Sequence, residues 1–262
     1  MKPNYRALSL SLTAMLALTA ELRAQTLTGR DRWADSVRVM IEGGVRSGSS
    51  AAIDSARVLL ERAMTAFPND PLLLHYEGYA LYRKATLALG RTGADPKPML
   101  EKAREALERS SKNLELPETF SLQAAVYGQI IAASKNPLTG MTLGKKSSDM
   151  TSRAVEEGPR NPRVWLLRGI GAMFTPEMWG GGLGKAEDYL KKSVAFYETD
   201  KPVRPLPAWG RAEAFIWLGQ VYSKQGKADA ARAAFEGALG IEPDNGWARA
   251  LLTGTAKPVG SR

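Results

Sequence analysis

His75 is the chain's single histidine, so any imidazole base or ligand must be this one residue. Asp70 and Glu77 lie near it in sequence, but a Ser-His-Asp triad also needs a nucleophile elbow of the Gly-x-Ser-x-Gly type, and the chain has none. Metal chemistry needs several ligands at clustered spacing. One histidine and no cysteine leave only scattered carboxylates. Two glycine-rich stretches invite a phosphate-loop reading: Gly180-Gly181-Gly182 ahead of Gly184-Lys185, and Gly140 ahead of Gly144-Lys145. That loop requires a glycine five residues before the Gly-Lys pair and Ser or Thr after it. The first stretch has Trp179 and Ala186 at those places, and the second has Thr139 and Lys146. Both fail, and a hairpin turn that lets two helices pack closely explains the glycines. The expectation is no catalytic residue, no cofactor and no metal.

The elements that carry these residues are helices. Asp70-Pro71 and Asn161-Pro162 each put a capping side chain just before a proline at the first helical position, and Pro117 starts a helix without the cap. No stretch alternates apolar and polar residues with β-branched enrichment, so no sheet is expected. The clearest unit lies near the C-terminus. Phe215, Leu218, Gly219, Tyr222, Ala231, Phe235, Ala238 and Pro243 are spaced as two antiparallel helices demand. Gly219 and Ala231 are small enough for close approach, Leu218, Tyr222 and Phe235 fill the seam, and Pro243 stops the second helix for want of an amide donor.

This spacing resembles the 34-residue tetratricopeptide repeat, strongly over 212–245 and fairly over 53–82 and 159–198. The resemblance implies an all-α, right-handed superhelical solenoid of about five antiparallel helix pairs, with protein binding as its usual task. The stretch from Thr175 to Gly182 leading into Lys185-Ala186-Glu187 is similar to an element of exported bacterial repeat proteins, some of which serve solute uptake. Upstream copies place Gly78, Gly128 and Gly169 at the position of Gly219, at spacings of 50, 41 and 50. The extra residues fall in loops. Those at 90–97, 135–145 and 175–183 lie inside pairs and should cluster at one edge, while the proline-rich 200–207 should emerge at the opposite edge. Residues 247–252 read as a short capping helix.

In this frame the first helices line a concave groove with His75, Tyr79, Tyr82, Arg83, Gln129, Met173, Phe174, Gln220 and Lys224. Such aromatic, methionine and amide side chains suit a partner helix or extended peptide, although Met173 and Phe174 can equally be core. Family members that grip a C-terminal carboxylate use lysine and asparagine on successive first helices. His75, Tyr79 and Val126 stand here instead, which argues against that mode. Met178 and Trp179 form a candidate loop anchor. Trp179 either folds back as a lid on its own hairpin, the commoner fate of such a ring, or stands out for a partner.

Lys2 and Arg6, then an apolar run from Ala7 to Ala20 and Leu22-Arg23-Ala24, read as a cleavable leader over 1–24. The run is too short for a spanning helix of roughly 20 residues, and no later segment matches it, so no transmembrane span is expected in the mature chain. The domain should run over 25–256, followed by a flexible tail at 257–262. Absent cysteine excludes disulfides and thioether lipidation. Cleavage at Ala24 leaves +7 of the formal +9 charge, interleaved with acids as in Glu101-Lys102-Ala103-Arg104-Glu105, which argues against nucleic acid. The expected function is a non-catalytic scaffold in the periplasm or beyond, binding another envelope protein or peptide. The alternative is a solute-binding or substrate-handing component of an uptake system. Oligomeric state is left open.

Overall fold

The computed structural model describes residues 28–89, 95–134, 136–257 and 259. The expected leader, the centre of the 90–97 connection and most of the 257–262 tail lie outside these. Among the described residues there is no strand, and no helix is long and apolar enough to cross a membrane. The helices are α1 (Gly29–Arg46), α2 (Ser50–Ala66), α3 (Pro71–Ala88), α4 (Lys97–Ser110), α5 (Pro117–Ala133), α6 (Pro137–Glu157), α7 (Pro162–Phe174), α8 (Leu183–Tyr197), α9 (Arg211–Lys224), α10 (Ala228–Ile241) and the short α11 (Gly246–Leu252). Consecutive helices pack as five hairpins, α1 with α2 through α9 with α10, and α11 closes the end over α10. The architecture is the expected tetratricopeptide-like solenoid.

Local chemistry sets the helix starts. The Asp70 carboxylate accepts from the amides of Leu72 and Leu73 at 3.0 Å, and the Asn161 side chain accepts from Arg163 at 3.0 Å. Both devices sit before a proline whose missing amide is no loss at that position. A third start corrects the expected loop at 135–145. Asn136 caps Leu138 at 3.0 Å and Pro137 begins α6, so 137–145 is helix. Gly140 and Gly144 point to a loop because glycine is a weak helix former. The cap and the packing of α6 on α5 outweigh that cost.

The pairs interlock through small residues. A Cβ on Gly219 would meet the Phe235 ring at 2.5 Å, one on Gly169 would meet Leu190 at 2.6 Å, and one on Gly78 would collide with Leu107. Gly128 does not belong to this set, because it is exposed and a Cβ there meets nothing. The equivalent residue of the third pair is Ala124, seven positions after Pro117 as Gly78 follows Pro71 and Gly169 follows Pro162. Two second helices also tie to their partner's start through a serine. Ser110 donates to the Pro71 carbonyl at 2.7 Å, and Ser193 to that of Pro162 at 2.8 Å.

Candidate functional site

The first helices α1, α3, α5, α7 and α9 build the inner face, and the chain itself occupies it. After α8 the segment 198–210 leaves at the expected edge but doubles back to bond with three of these helices. Asp200 takes the Arg163 guanidinium of α7 at 2.6 Å, Arg204 pairs with Asp35 of α1, and the Tyr76 hydroxyl of α3 donates to the Pro205 carbonyl. Trp209 then stacks on Tyr79, ring centroids 5.0 Å apart and nearly parallel, while the Tyr197 hydroxyl donates to the Trp209 carbonyl at 2.7 Å. Gly210 ends the strap at φ +101°, with the Tyr197 hydroxyl and Leu166 so close that a side chain has neither the backbone angle nor the space. A strap rich in proline starts with little conformational freedom to lose, which favours holding it in one path.

Charge is buried with this strap. Arg163 is 1 % exposed; burial opposes its charge, and the carboxylates of Asp200 and Glu118 hold it. The hydrogen bond from Arg204 keeps Asp35 below the usual carboxylate range against the opposing effect of burial. Arg83 of α3 reaches across to Glu213 of α9 at 2.9 and 3.1 Å, and Glu213 also accepts from the Trp217 indole at 3.3 Å. Burial is again the largest single effect and works against the Arg83 cation. The charge of Glu213, with smaller help from Tyr79 and Tyr82, more than offsets it and keeps Arg83 above the usual guanidinium range.

The proposed groove is therefore not open. His75, Tyr79, Tyr82, Arg83 and Gln220 are buried; Gln129, Met173 and Lys224 are half-buried; only Phe174 is exposed. Gln129 donates to Thr86 at 3.3 Å, and Gln220 accepts from the Val259 amide at 2.9 Å. His75 bonds through Nδ1 to the Thr119 hydroxyl at 2.8 Å, and its Nε2 has no partner. Burial lowers its pKa from 6.5 to about 3. The unfolded chain then takes a proton near pH 6.5 that the folded chain refuses, so this contribution to stability is complete above pH 6.5 and is lost as pH falls toward 3. As the chain has no other histidine, the His75 contribution has an expected slope of about 1.4 kcal/mol per pH unit between roughly pH 6 and pH 5. Glu42, whose pKa burial raises above its ordinary value, contributes with the opposite sign and equally with or without the histidine. Denaturant unfolding across that window should show it, and His75→Gln should flatten it; parallel slopes for the two proteins would refute the burial of a neutral imidazole.

What remains open is the edge where the hairpins turn. Pro176 leads into a single tight turn, Glu177–Trp179, and the three glycines then close it. The Gly182 amide donates to Ala172 and Thr175 carbonyls at 2.9 Å, and a Cβ on Gly181 would collide with the Thr175 carbonyl. With the glycine backbone drawn in against α7, the side chains before it have nothing to fold onto. Met178 is 83 % and Trp179 74 % exposed, so the lid expected over this hairpin is not formed. Phe174, 55 % exposed, stands edge-on to Trp217 at 6.0 Å. Leu89 at the end of α3, and Leu138 and Met141 at the start of α6, are exposed at the corresponding turns of the two preceding hairpins. In a stacked solenoid those turns share one edge. No group of metal-ligating side chains occurs among the described residues.

Met178 and Trp179 stand out in the sequence; the strap does not. Trp209 in a proline-rich connection, and arginines at 83 and 163 within apolar helices, are the signals that a segment must come back to meet them.

Comparison with known proteins agrees with the architecture. Residues 212–245 match the tetratricopeptide repeat family. No curated protein matches the chain. Among solved structures, a thermophilic TPR protein of Thermus thermophilus is similar at 20 % identity and a TM-score of 0.57, covering 83 % of this chain and 97 % of that one. The HusA haemophore from Porphyromonas gingivalis is similar at 22 % identity and a TM-score of 0.57, covering 73 % of this chain and 94 % of that one. At such identities the likeness is one of fold. The chain thus carries a tetratricopeptide repeat at residues 212–245, and its likeness to these structures over the hairpins before it is one of helix-pair fold.

Proposed function

We propose that this protein is an exported, non-catalytic interaction module, its mature chain beginning at Gln25, and that it binds another envelope protein through the hairpin-turn edge around Trp179. One observation carries the reading: the inner face is filled by residues 198–210, while Met178 and Trp179 stand exposed on a turn held by its own backbone. Exposed large apolar side chains gathered at one edge are a common mark of a protein interface. A solute-binding role would call for an enclosed apolar pocket. The crease beside the strap, about 330 Å³, is walled in part by the charged Glu118, Arg163 and Asp200 and suits that role less. The likeness to the haemophore is one of fold and carries no ligand over to this chain.

The test uses the mature chain as bait in envelope extract, alone and as Trp179→Ala. The expected result is an unchanged unfolding midpoint, since an exposed ring gives up little on truncation. Affinity for the captured partner should fall about 30-fold, the scale of a 2 kcal/mol anchor. Unchanged capture would remove the edge as the binding surface. A lowered midpoint would show that the ring packs on its own hairpin.

A further inference from the structure

The α7–α8 hairpin carries a second feature, a line of cations that form no salt bridge among the described residues. On α8, Lys185, Tyr189, Lys192 and Phe196 follow one another at helical spacing, a stripe about 16 Å long. The neighbouring helix start and α7 add cations set against rings. The Arg168 guanidinium lies 4.3 Å from the Tyr189 ring centre and 5.2 Å from that of Trp165, the Lys192 ammonium 4.4 Å from Trp165, and the Arg160 guanidinium 5.7 Å from Phe196. Among the described residues no carboxylate is within salt-bridge distance of Arg160, Arg168, Lys185 or Lys192. The adjacent Lys191, by contrast, is paired with Glu187 at 2.5 Å. The rings hold Arg160, Arg168 and Lys192 in place without neutralising them, and the exposed Asp188, three residues after Lys185 and four before Lys192 on α8, forms a salt bridge with neither.

We propose that this ribbon binds an acidic peptide segment of a partner protein. Recognition of nucleic acid or of a sugar chain would use free aromatic faces for stacking. Here the cations themselves cover those faces, and Trp165 is only 7 % exposed. What the surface offers is charged heads. A guanidinium fork takes a carboxylate through two parallel hydrogen bonds, and an ammonium takes it as a point charge. The length of the stripe matches about five residues of extended chain, along which alternate side chains face one way.

The proposal rests on the protein-partner reading above and adds the chemistry of the partner. Its test is independent of capture. A fluorescent peptide of about ten residues with glutamate at alternate positions is titrated with the mature chain, at low and at high salt. Binding that weakens with salt is expected, and Lys192→Gln combined with Arg160→Gln should weaken it at least about tenfold with the unfolding midpoint unchanged, both residues being exposed. Arg232→Gln, on α10 beside Glu236, should leave it unaltered. No binding, equal binding by the double variant, or single-stranded DNA of equal charge binding as tightly through the same residues would each overturn the proposal. Trp179→Ala separates the two ideas: if it leaves envelope capture intact while the peptide still binds, the edge reading falls and the ribbon stands.

Discussion

Glu213→Ala should destabilise the protein by about 3–5 kcal/mol, the cost of leaving a buried charge without its partner. Arg83 has no other acceptor in its hydrogen-bond set, is 7 % exposed, and cannot shed its proton to escape. For a chain of this length the midpoint should drop by roughly 10 °C. The double replacement Arg83→Met with Glu213→Leu should recover most of the loss, because it removes both desolvation penalties and fills the space with apolar atoms. Thermal and denaturant unfolding of the parent, the single variant and the double variant decide it. A midpoint within about 1 °C for Glu213→Ala would mean that water reaches the pair and that the inner face is open.

Gly219→Leu should cost about 2 kcal/mol or more. A glycine replaced in mid-helix ordinarily gains up to roughly 1 kcal/mol of helix propensity. Here the added side chain starts 2.5 Å from the Phe235 ring, which is itself buried, so α9 and α10 must separate or Phe235 must leave its rotamer. Gly128→Leu is the matched control. It adds the same atoms on an exposed helix surface and should leave stability unchanged or slightly raise it. Equal effects in thermal unfolding at the two positions would contradict the repeat frame, which places Ala124, not Gly128, at the helix contact.

The fold is readable because the hairpins draw on a small set of short-range demands: a proline at the start of α3, α5 and α7, a small residue at the crossing, and a large apolar side chain such as Leu107, Leu190 or Phe235 opposite it. Asn136-Pro137 shows how this fails. The same starting device is present, but two glycines nearby outweigh it in a reading based on propensity, whereas packing against α5 decides the structure. Gly128 attracts attention by its identity, yet it stands four residues out of register with the distance from Pro117 that the other pairs keep. The inner face is the least legible part. A helical frame says which residues point inward, and it does so for Tyr79 and Arg83. It cannot say that Trp209 and Glu213, 130 residues further on in each case, will be there to meet them. Trp179 stands out in sequence as an aromatic beside glycines, but whether it packs depends on how tightly the glycine turn closes against α7.

Repeat arrays of this kind are ordinarily modular, each unit touching its neighbours alone, so that stability adds along the array and ends can fray or be trimmed. The strap abolishes that independence. Arg204 joins Asp35 across 169 residues, and Tyr76 and Arg83 each reach partners about 130 residues away. Contacts of such separation raise the contact order well above that of nearest-neighbour stacking, so folding waits on the closure of long loops. The strap makes the first hairpin depend on residues beyond α8, and the array is expected to melt as one cooperative body in thermal unfolding. A protein so tied cannot grow or shrink by gaining or losing a repeat, as a purely modular array can; the strap fixes its number of hairpins.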